Sequence, residues 1–175
     1  GWAGDRGGEG REAEAGGGGD GVGAERVEGG SYRHRWREGW AVVRPGIGVP
    51  LARILARTEP ASGAKWVGFE TLVRPKEMTG QRSGVLDWPY VEGLRLDVAM
   101  HPLALLGFGL YGEVLPNQNG APLRAVVPWK YGFKSGKSIV KIRFTDNEPR
   151  TSRVKAGPQE YGIYSHLTPM ADHPR

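Results

Sequence analysis

The sequence contains no cysteine and few histidines. Without cysteine the chain forms no disulfide, and thiolate catalysis and thiolate metal ligation are excluded. The histidines do not pair at the spacing of a His-x-x-x-His or His-Glu-x-x-His metal motif. No apolar run reaches the roughly 18 residues that a membrane-spanning helix needs, and no basic-then-apolar start is visible. The sequence therefore predicts neither a membrane span nor an export signal.

Large apolar side chains are almost missing from residues 1–31, which hold 13 of the 29 glycines and carry a net charge of −4. Such a segment buries too little surface to offset the entropy lost on ordering, so we expect residues 1–31 to be disordered. A second interpretation is a frame-disrupted segment, because sequence rich in Gly, Ala, Arg and Glu is typical of GC-rich DNA read in a wrong frame. Both interpretations place the folded domain at residues 32–175.

The rest of the chain carries a net charge of +9 and shows the patterns of a folded domain. Residues 40–43 predict a short strand that Pro45-Gly46 ends, and residues 50–57 have apolar residues at helical spacing. Residues 138–144 alternate apolar and polar side chains, which predicts a half-buried strand. Residues 74–90 form a long connection of the kind that is often functional. Many short strands and few helices favour a β-rich α+β fold.

The positive charge of this domain favours an anionic ligand or a nucleic acid as its partner. Its aromatic residues are not interleaved with Lys and Arg in a nucleic-acid-binding pattern, so we expect no nucleic-acid partner. An anionic ligand is the sharper interpretation. A soluble basic surface without a ligand is the plain alternative.

The densest chemistry lies in one segment that carries an amide, a turn glycine, a guanidinium, two lysines and a small-residue turn. These residues are Asn119, Gly120, Arg124, Lys134, Lys137 and Ser135-Gly136. The amide both donates and accepts, the glycine permits a positive φ, and the guanidinium can bind a phosphate through two parallel hydrogen bonds. The backbone N–H groups of the small-residue turn suit an anion. The set favours a bulky anionic cofactor, with a surface loop between two strands as the alternative.

Several ordered sequence blocks carry a resemblance to a known family. They are Tyr32-Arg33-x-Arg35, Glu38-Gly39-Trp40, Gly46 through Leu51, Phe69-Glu70-Thr71, Tyr90 through Asp97, Met100 through Leu103, Asn119 through Lys134, Glu160-Tyr161-Gly162 and Asp172 through Arg175. The blocks resemble the catalytic subunits of bacterial protein-methionine-sulfoxide reductase, the MsrP or YedY type. The resemblance covers residues 32–175 and implies a sulfite-oxidase-type molybdopterin-binding fold, incomplete at the N-terminus.

The resemblance also implies a mononuclear molybdenum–molybdopterin cofactor. Carried over by motif, the implied cofactor contacts are Thr71, Asn119, Arg124, Ser135, Gly136 and Lys137. Glu38 lies two residues after the family's metal-ligand position and is implied as a wall of the substrate pocket. A solvated acid at a strand end is the alternative interpretation of Glu38.

The activity that the resemblance implies is reduction of methionine sulfoxide, free or in proteins, which repairs oxidised proteins of the periplasm. The implied electron donor is the haem-containing membrane subunit MsrQ. Another oxidoreductase of the same fold, such as a sulfite oxidase, is an alternative. The Pro-Trp-Lys-Tyr-Gly-Phe-Lys block favours the reductase by similarity.

The chain departs from this family at the metal. The family's molybdenum-binding cysteine falls at Trp36, and an indole offers an N–H donor but no ligand for a metal. We therefore expect no protein ligand to the metal, weak or absent cofactor binding and an inactive copy of the enzyme. A non-catalytic remnant that binds an anionic ligand is the second alternative function.

Overall fold

Two antiparallel sheets organise the part of the chain that the computed structural model describes, which is residues 26–36, 40–58, 60 and 62–167. The first sheet contains β1 (Glu28–Arg35), β2 (Ala41–Pro50), β5 (Leu105–Leu110), β6 (Glu113–Val114) and β7 (Arg124–Val126). Its strands run in the order β1-β2-β5-β6, and β7 also pairs with β5. The described part is therefore rich in strands, as the sequence predicts.

The second sheet is smaller and contains β3 (Trp66–Thr71), β4 (Val91–Arg95) and β8 (Ile139–Thr145). Its strands run in the order β4-β3-β8. Short helices connect the strands: α1 (Leu51–Ala56), α2 (Leu96–Ala99) and α3 (Ser152–Ala156), with 3-10 turns at Thr79–Arg82, Asn117–Asn119 and Gly132–Lys134. Among the described residues no helix is long and apolar enough to cross a membrane.

One apolar core joins the second sheet to α1. Val67 and Phe69 of β3 are completely buried, and they pack in one cluster with Leu51 and Leu55 of α1 and Ile139 of β8. Each such side chain contributes about 1.5–3 kcal/mol on burial. The core fixes the end of β3 and the start of β8. The segments that adjoin these two positions, after β3 and before β8, line the candidate site.

Strand β1 corrects part of the prediction that residues 1–31 are disordered. It begins at Glu28 and pairs with β2 from Glu28 opposite Gly48 to Arg35 opposite Ala41. Gly29 and Gly30 have no apolar side chains to bury, and for this reason the sequence pattern does not show a strand there. Backbone pairing with β2 is sufficient to order them. Residues 1–25 lie outside the described part of the chain.

Strand β2 corrects a second prediction, because it continues through Pro45 and Gly46 to Pro50. The pairing of β2 with β5 begins at Gly46, so Pro45 lies outside it. The N–H that proline lacks is therefore not needed for the hydrogen bonds between these two strands. The sequence also gave no signal for α3. There the Thr151 Oγ1 accepts a hydrogen bond from the Val154 N–H and caps the helix.

Candidate functional site

A cavity of about 780 Å³ opens between the end of β1, the end of β3 and the start of β7. Its volume falls in the range of small-molecule and cofactor sites. The long connection 72–90 forms one wall, and the segment 132–138 forms another. The prediction that the connection is a functional loop therefore agrees with its position.

Five of the six predicted cofactor residues line this cavity: Thr71, Arg124, Ser135, Gly136 and Lys137. The sixth, Asn119, is not among the lining residues. Its carbonyl oxygen accepts a hydrogen bond of 2.9 Å from Arg124 Nη1, so it holds the guanidinium in place. Asn117 and Gln118, which the sequence analysis did not select, line the cavity instead.

The cations of the cavity repel one another. Burial, followed by the charge of Arg44, lowers the pKa of Arg124. Burial and the charges of Arg124 and Arg44 likewise lower the pKa of Lys137. His34 at the end of β1 responds most strongly: burial first, then Arg124, Arg44 and Lys137, lower its pKa to about 4. We call Arg124 and Lys137, which line the cavity and lie within the influence of the Arg44 charge, the cationic end; a bound anion would relieve its repulsion.

Two glycines allow close approach at this end. Gly120 has φ +115°, which L side chains rarely adopt, and an added Cβ there would lie 3.0 Å from the Lys137 side chain. An added Cβ at Gly132 would lie 2.2 Å from His34 Nε2. The predicted need for glycine at position 120 therefore has both a conformational and a packing reason.

A buried ion pair supports the wall formed by residues 132–138. Lys134 Nζ lies 2.6 Å from Glu92 Oε1, and both side chains are completely buried. Lys134 Nζ also donates to the Gly93 carbonyl, and the Tyr90 hydroxyl lies 3.2 Å from Glu92 Oε2. Lys134, which the sequence analysis included in the set for an anionic cofactor, is not among the cavity-lining residues: its charge faces Glu92, and it fixes the backbone that continues into Ser135-Gly136.

Four buried polar atoms on cavity-lining residues have no hydrogen-bond partner. They are Thr71 Oγ1, Trp88 Nε1, Arg124 Nε and Arg153 Nε. An unsatisfied buried polar group costs about 1–3 kcal/mol, so such groups mark a site that a ligand or ordered water completes. Trp88 and Arg153 carried no signal in the sequence, because tertiary contacts alone bring them to the cavity.

The predicted metal position also lies at the cavity. Trp36 lines it, is 37% exposed, and packs edge-on against His34 with ring centroids 4.6 Å apart. Among the described residues no group of three or more His, Cys, Asp or Glu side chains is arranged to hold a metal ion. Glu38, the predicted wall of the substrate pocket, lies outside the described residues.

The sequence is similar to known proteins of one family. The sequence pattern of the family described as "oxidoreductase molybdopterin binding domain" matches residues 21–153. Two curated relatives are each 60% identical over 144 residues, or 82% of this chain: the protein-methionine-sulfoxide reductase catalytic subunits MsrP of Ralstonia nicotianae and of Burkholderia mallei. The matched region is 44% of each relative, so the chain spans less than half of their length.

A solved structure shows the same fold. The sulfane dehydrogenase SoxCD from Paracoccus pantotrophus aligns with a TM-score of 0.60 and 17% identity over 72% of this chain and 33% of that chain. At this identity the likeness concerns the fold alone. Together with the family match, it confirms the predicted sulfite-oxidase-type, β-rich α+β architecture.

Proposed function

Because the chain belongs to the oxidoreductase molybdopterin-binding domain family, we propose that it forms the cofactor-binding part of a molybdenum-dependent reductase of methionine sulfoxide. The relatives that are 60% identical are catalytic subunits of protein-methionine-sulfoxide reductase. Their similarity supports this substrate over sulfite, the substrate of the alternative oxidoreductase. Free and protein-bound methionine sulfoxide are both proposed substrates.

One observation carries the proposal: unpartnered buried donors lie in the same cavity as a repelling group of cations. Molybdopterin combines a phosphate with a pterin ring edge that is rich in donors and acceptors. The cationic end suits the phosphate, because Arg124 and Lys137 provide charge-assisted donors. Thr71 and the Ser135-Gly136 turn provide smaller polar groups. The residues of the cavity therefore fit the pterin part of the cofactor.

Each side chain has a proposed task. Arg124 binds the phosphate and is itself held by the Asn119 carbonyl. Lys137, whose Nζ donates 3.0 Å to the Gln118 carbonyl, adds a second positive charge. The Glu92–Lys134 pair keeps the Ser135-Gly136 backbone in place. When bound, molybdenum would supply the two-electron chemistry that takes the oxygen from a sulfoxide.

The metal itself does not fit the residues present. The family's cysteine position holds Trp36, which lies at the cavity and provides no thiolate. The expectation of weak or absent cofactor binding is thereby narrowed to the metal: we propose that this chain holds the pterin through the cavity but retains molybdenum poorly, so that its reductase activity is low or absent. A non-catalytic protein that binds an anionic ligand in the cationic end is the second candidate, and Trp36 is the observation that favours it.

Partners and location are proposed from the family resemblance of the sequence blocks. We propose that oxidised proteins of the periplasm are substrates and that the haem-containing membrane subunit MsrQ supplies electrons. Glu38 remains the proposed wall of the substrate pocket. These proposals concern the whole protein, and this chain matches less than half of the length of each relative.

The test compares the protein with its Trp36→Cys variant, both produced in cells that make molybdopterin. Molybdenum per chain is measured together with reduction of methionine sulfoxide and oxidation of sulfite. We expect little molybdenum in the unchanged protein, and we expect the variant to gain molybdenum and sulfoxide reduction. Sulfite oxidation without sulfoxide reduction would favour the alternative enzyme. A bound anionic ligand other than molybdopterin, without molybdenum in either protein, would favour the non-catalytic candidate.

A further inference from the structure

Aromatic rings and a guanidinium line the cavity beside the predicted cofactor contacts. Trp88, Tyr90, Phe133 and Arg153 all line the cavity, and we call them the aromatic end. The ring centroids of Trp88 and Tyr90 lie 6.4 Å apart. The Arg153 Cζ lies 5.2 Å from the centre of the Tyr161 ring, which in turn packs edge-on against Phe133 at 5.0 Å. The Tyr90 hydroxyl lies 3.2 Å from the Phe133 carbonyl oxygen, which connects these two sets of contacts.

Two N–H donors of the aromatic end are buried and have no partner. They are Trp88 Nε1 and Arg153 Nε. The Arg153 guanidinium lies over the Tyr161 ring, and its charge acts on the Tyr90 hydroxyl, where it opposes the rise in pKa that burial and Glu92 cause. The Tyr90 hydroxyl in turn lies 3.2 Å from Glu92 Oε2, within the buried network. A guanidinium packed over a ring, whose buried Nε–H has no partner, is prepared for an acceptor on a ligand.

We propose that the aromatic end binds the sulfoxide side chain of the substrate, with Trp88 Nε1 and Arg153 Nε donating to the sulfoxide oxygen. This inference rests on the proposed function and adds to it the residues that recognise the substrate. It assigns a task to groups that the sequence motifs leave without one.

The chemistry of a sulfoxide matches these residues. Its oxygen is a strong hydrogen-bond acceptor without a proton to donate, so it requires N–H donors and not carboxylates. The methyl and methylene groups beside the sulfur are apolar and pack against the rings of Trp88 and Phe133. The product thioether has lost the oxygen, and both donors lose their partner when it is formed. The aromatic end therefore distinguishes substrate from product, as a site that hydrogen-bonds one group of its ligand does.

The test observes the Trp88 indole N–H directly by NMR in the ¹⁵N-labelled protein. The variant Trp88→Phe identifies the resonance, and the Trp36 indole, also at the cavity, serves as an internal comparison. The protein is titrated with methionine sulfoxide and, separately, with methionine, which differs only in lacking the sulfoxide oxygen. We expect the Trp88 N–H resonance to move downfield and saturate with the sulfoxide and to stay in place with methionine. In Arg153→Met, which keeps an unbranched side chain about as long as Arg up to Nε, we expect about tenfold weaker binding from the loss of one charged hydrogen bond.

Three results would overturn the inference: a Trp88 resonance that does not move, one that moves equally with methionine, or an unchanged affinity in a folded Arg153→Met protein. The inference and the proposed function fail separately. If the molybdenum-loaded Trp36→Cys variant reduces methionine sulfoxide while the Trp88 resonance is silent, the inference is wrong and the function stands. If the resonance responds while the loaded variant does not reduce the sulfoxide, the binding site stands and the function is wrong.

Discussion

Replacing Lys134 by methionine removes one half of a completely buried ion pair. Lys134 Nζ lies 2.6 Å from Glu92 Oε1, and both side chains are 0% exposed. The substitution leaves the Glu92 carboxylate buried, with the Gly93 N–H at 2.9 Å and the Tyr90 hydroxyl as its partners. Breaking a buried pair from one side costs about 3–5 kcal/mol, and the two remaining hydrogen bonds place the expected loss at about 3 kcal/mol.

Urea unfolding followed by tryptophan fluorescence measures this loss as a change in the free energy of unfolding. A domain of this size loses about 2–4 °C in Tm for each kcal/mol, so we also expect Tm to fall by roughly 10 °C. The double variant Glu92→Leu, Lys134→Met is the control. It removes both charges, and we expect it to recover most of the lost stability, because apolar replacements of buried pairs are often neutral.

A loss below about 1 kcal/mol in Lys134→Met would refute this reasoning, since that is the range of solvent-exposed pairs. A double variant as unstable as the single variant would contradict it as well. In that case the instability would come from lost packing and not from the unpaired carboxylate.

Three further predictions concern the cavity and its surroundings. Gly120→Ala combines a positive φ with a contact to Lys137, whereas Gly112→Ala has φ +83° and nothing within 4 Å. We expect thermal unfolding to show the larger loss for Gly120→Ala, with about 1 kcal/mol of each loss due to φ. Arg124→Ala removes a charge that lowers the pKa of His34. We expect the pKa of that imidazole, measured by NMR titration, to rise from about 4 yet to stay below the usual value, because burial remains. Burial lowers the pKa of Lys130 to about 8 in the folded state. Above pH 8 the folded state therefore loses this proton while the unfolded state still keeps it. Stability from this group should rise with pH from about 8 to the usual lysine value, and urea unfolding of Lys130→Met should lack that rise. Equal losses in the two glycine variants, an unmoved His34 pKa, or an unchanged pH profile would contradict the respective prediction.

Local patterns predicted the elements whose own side chains build the core. The helical spacing of residues 50–57 and the alternation of residues 138–144 are confirmed by α1 and β8. Strand β1 was not predicted, since its glycines are ordered by backbone pairing with β2. Helix α3 is short and polar, and its Thr151 cap is a single local hydrogen bond. Periodicity gives little signal in such segments.

The candidate site follows from the sequence only in part. Family motifs selected five residues that the structure brings to one cavity, although their contact with the cofactor remains a prediction. Trp88 and Arg153 were missed because they are far apart in the chain and meet only through tertiary contacts. Glu92 was missed for a different reason: a carboxylate in a strand gives no sign that it is completely buried beside Lys134.

The central claim is that the cavity holds molybdopterin, and the pterin content of the purified protein tests it most directly. The protein and its Arg124→Ala variant are produced in cells that make molybdopterin, and the pterin is released, oxidised and measured by fluorescence per folded chain. We predict that the unchanged protein carries a fixed amount of pterin per folded chain. Arg124→Ala should carry about tenfold less, because a charged hydrogen bond to the phosphate is lost. A folded protein that carries no more pterin than Arg124→Ala would contradict the account.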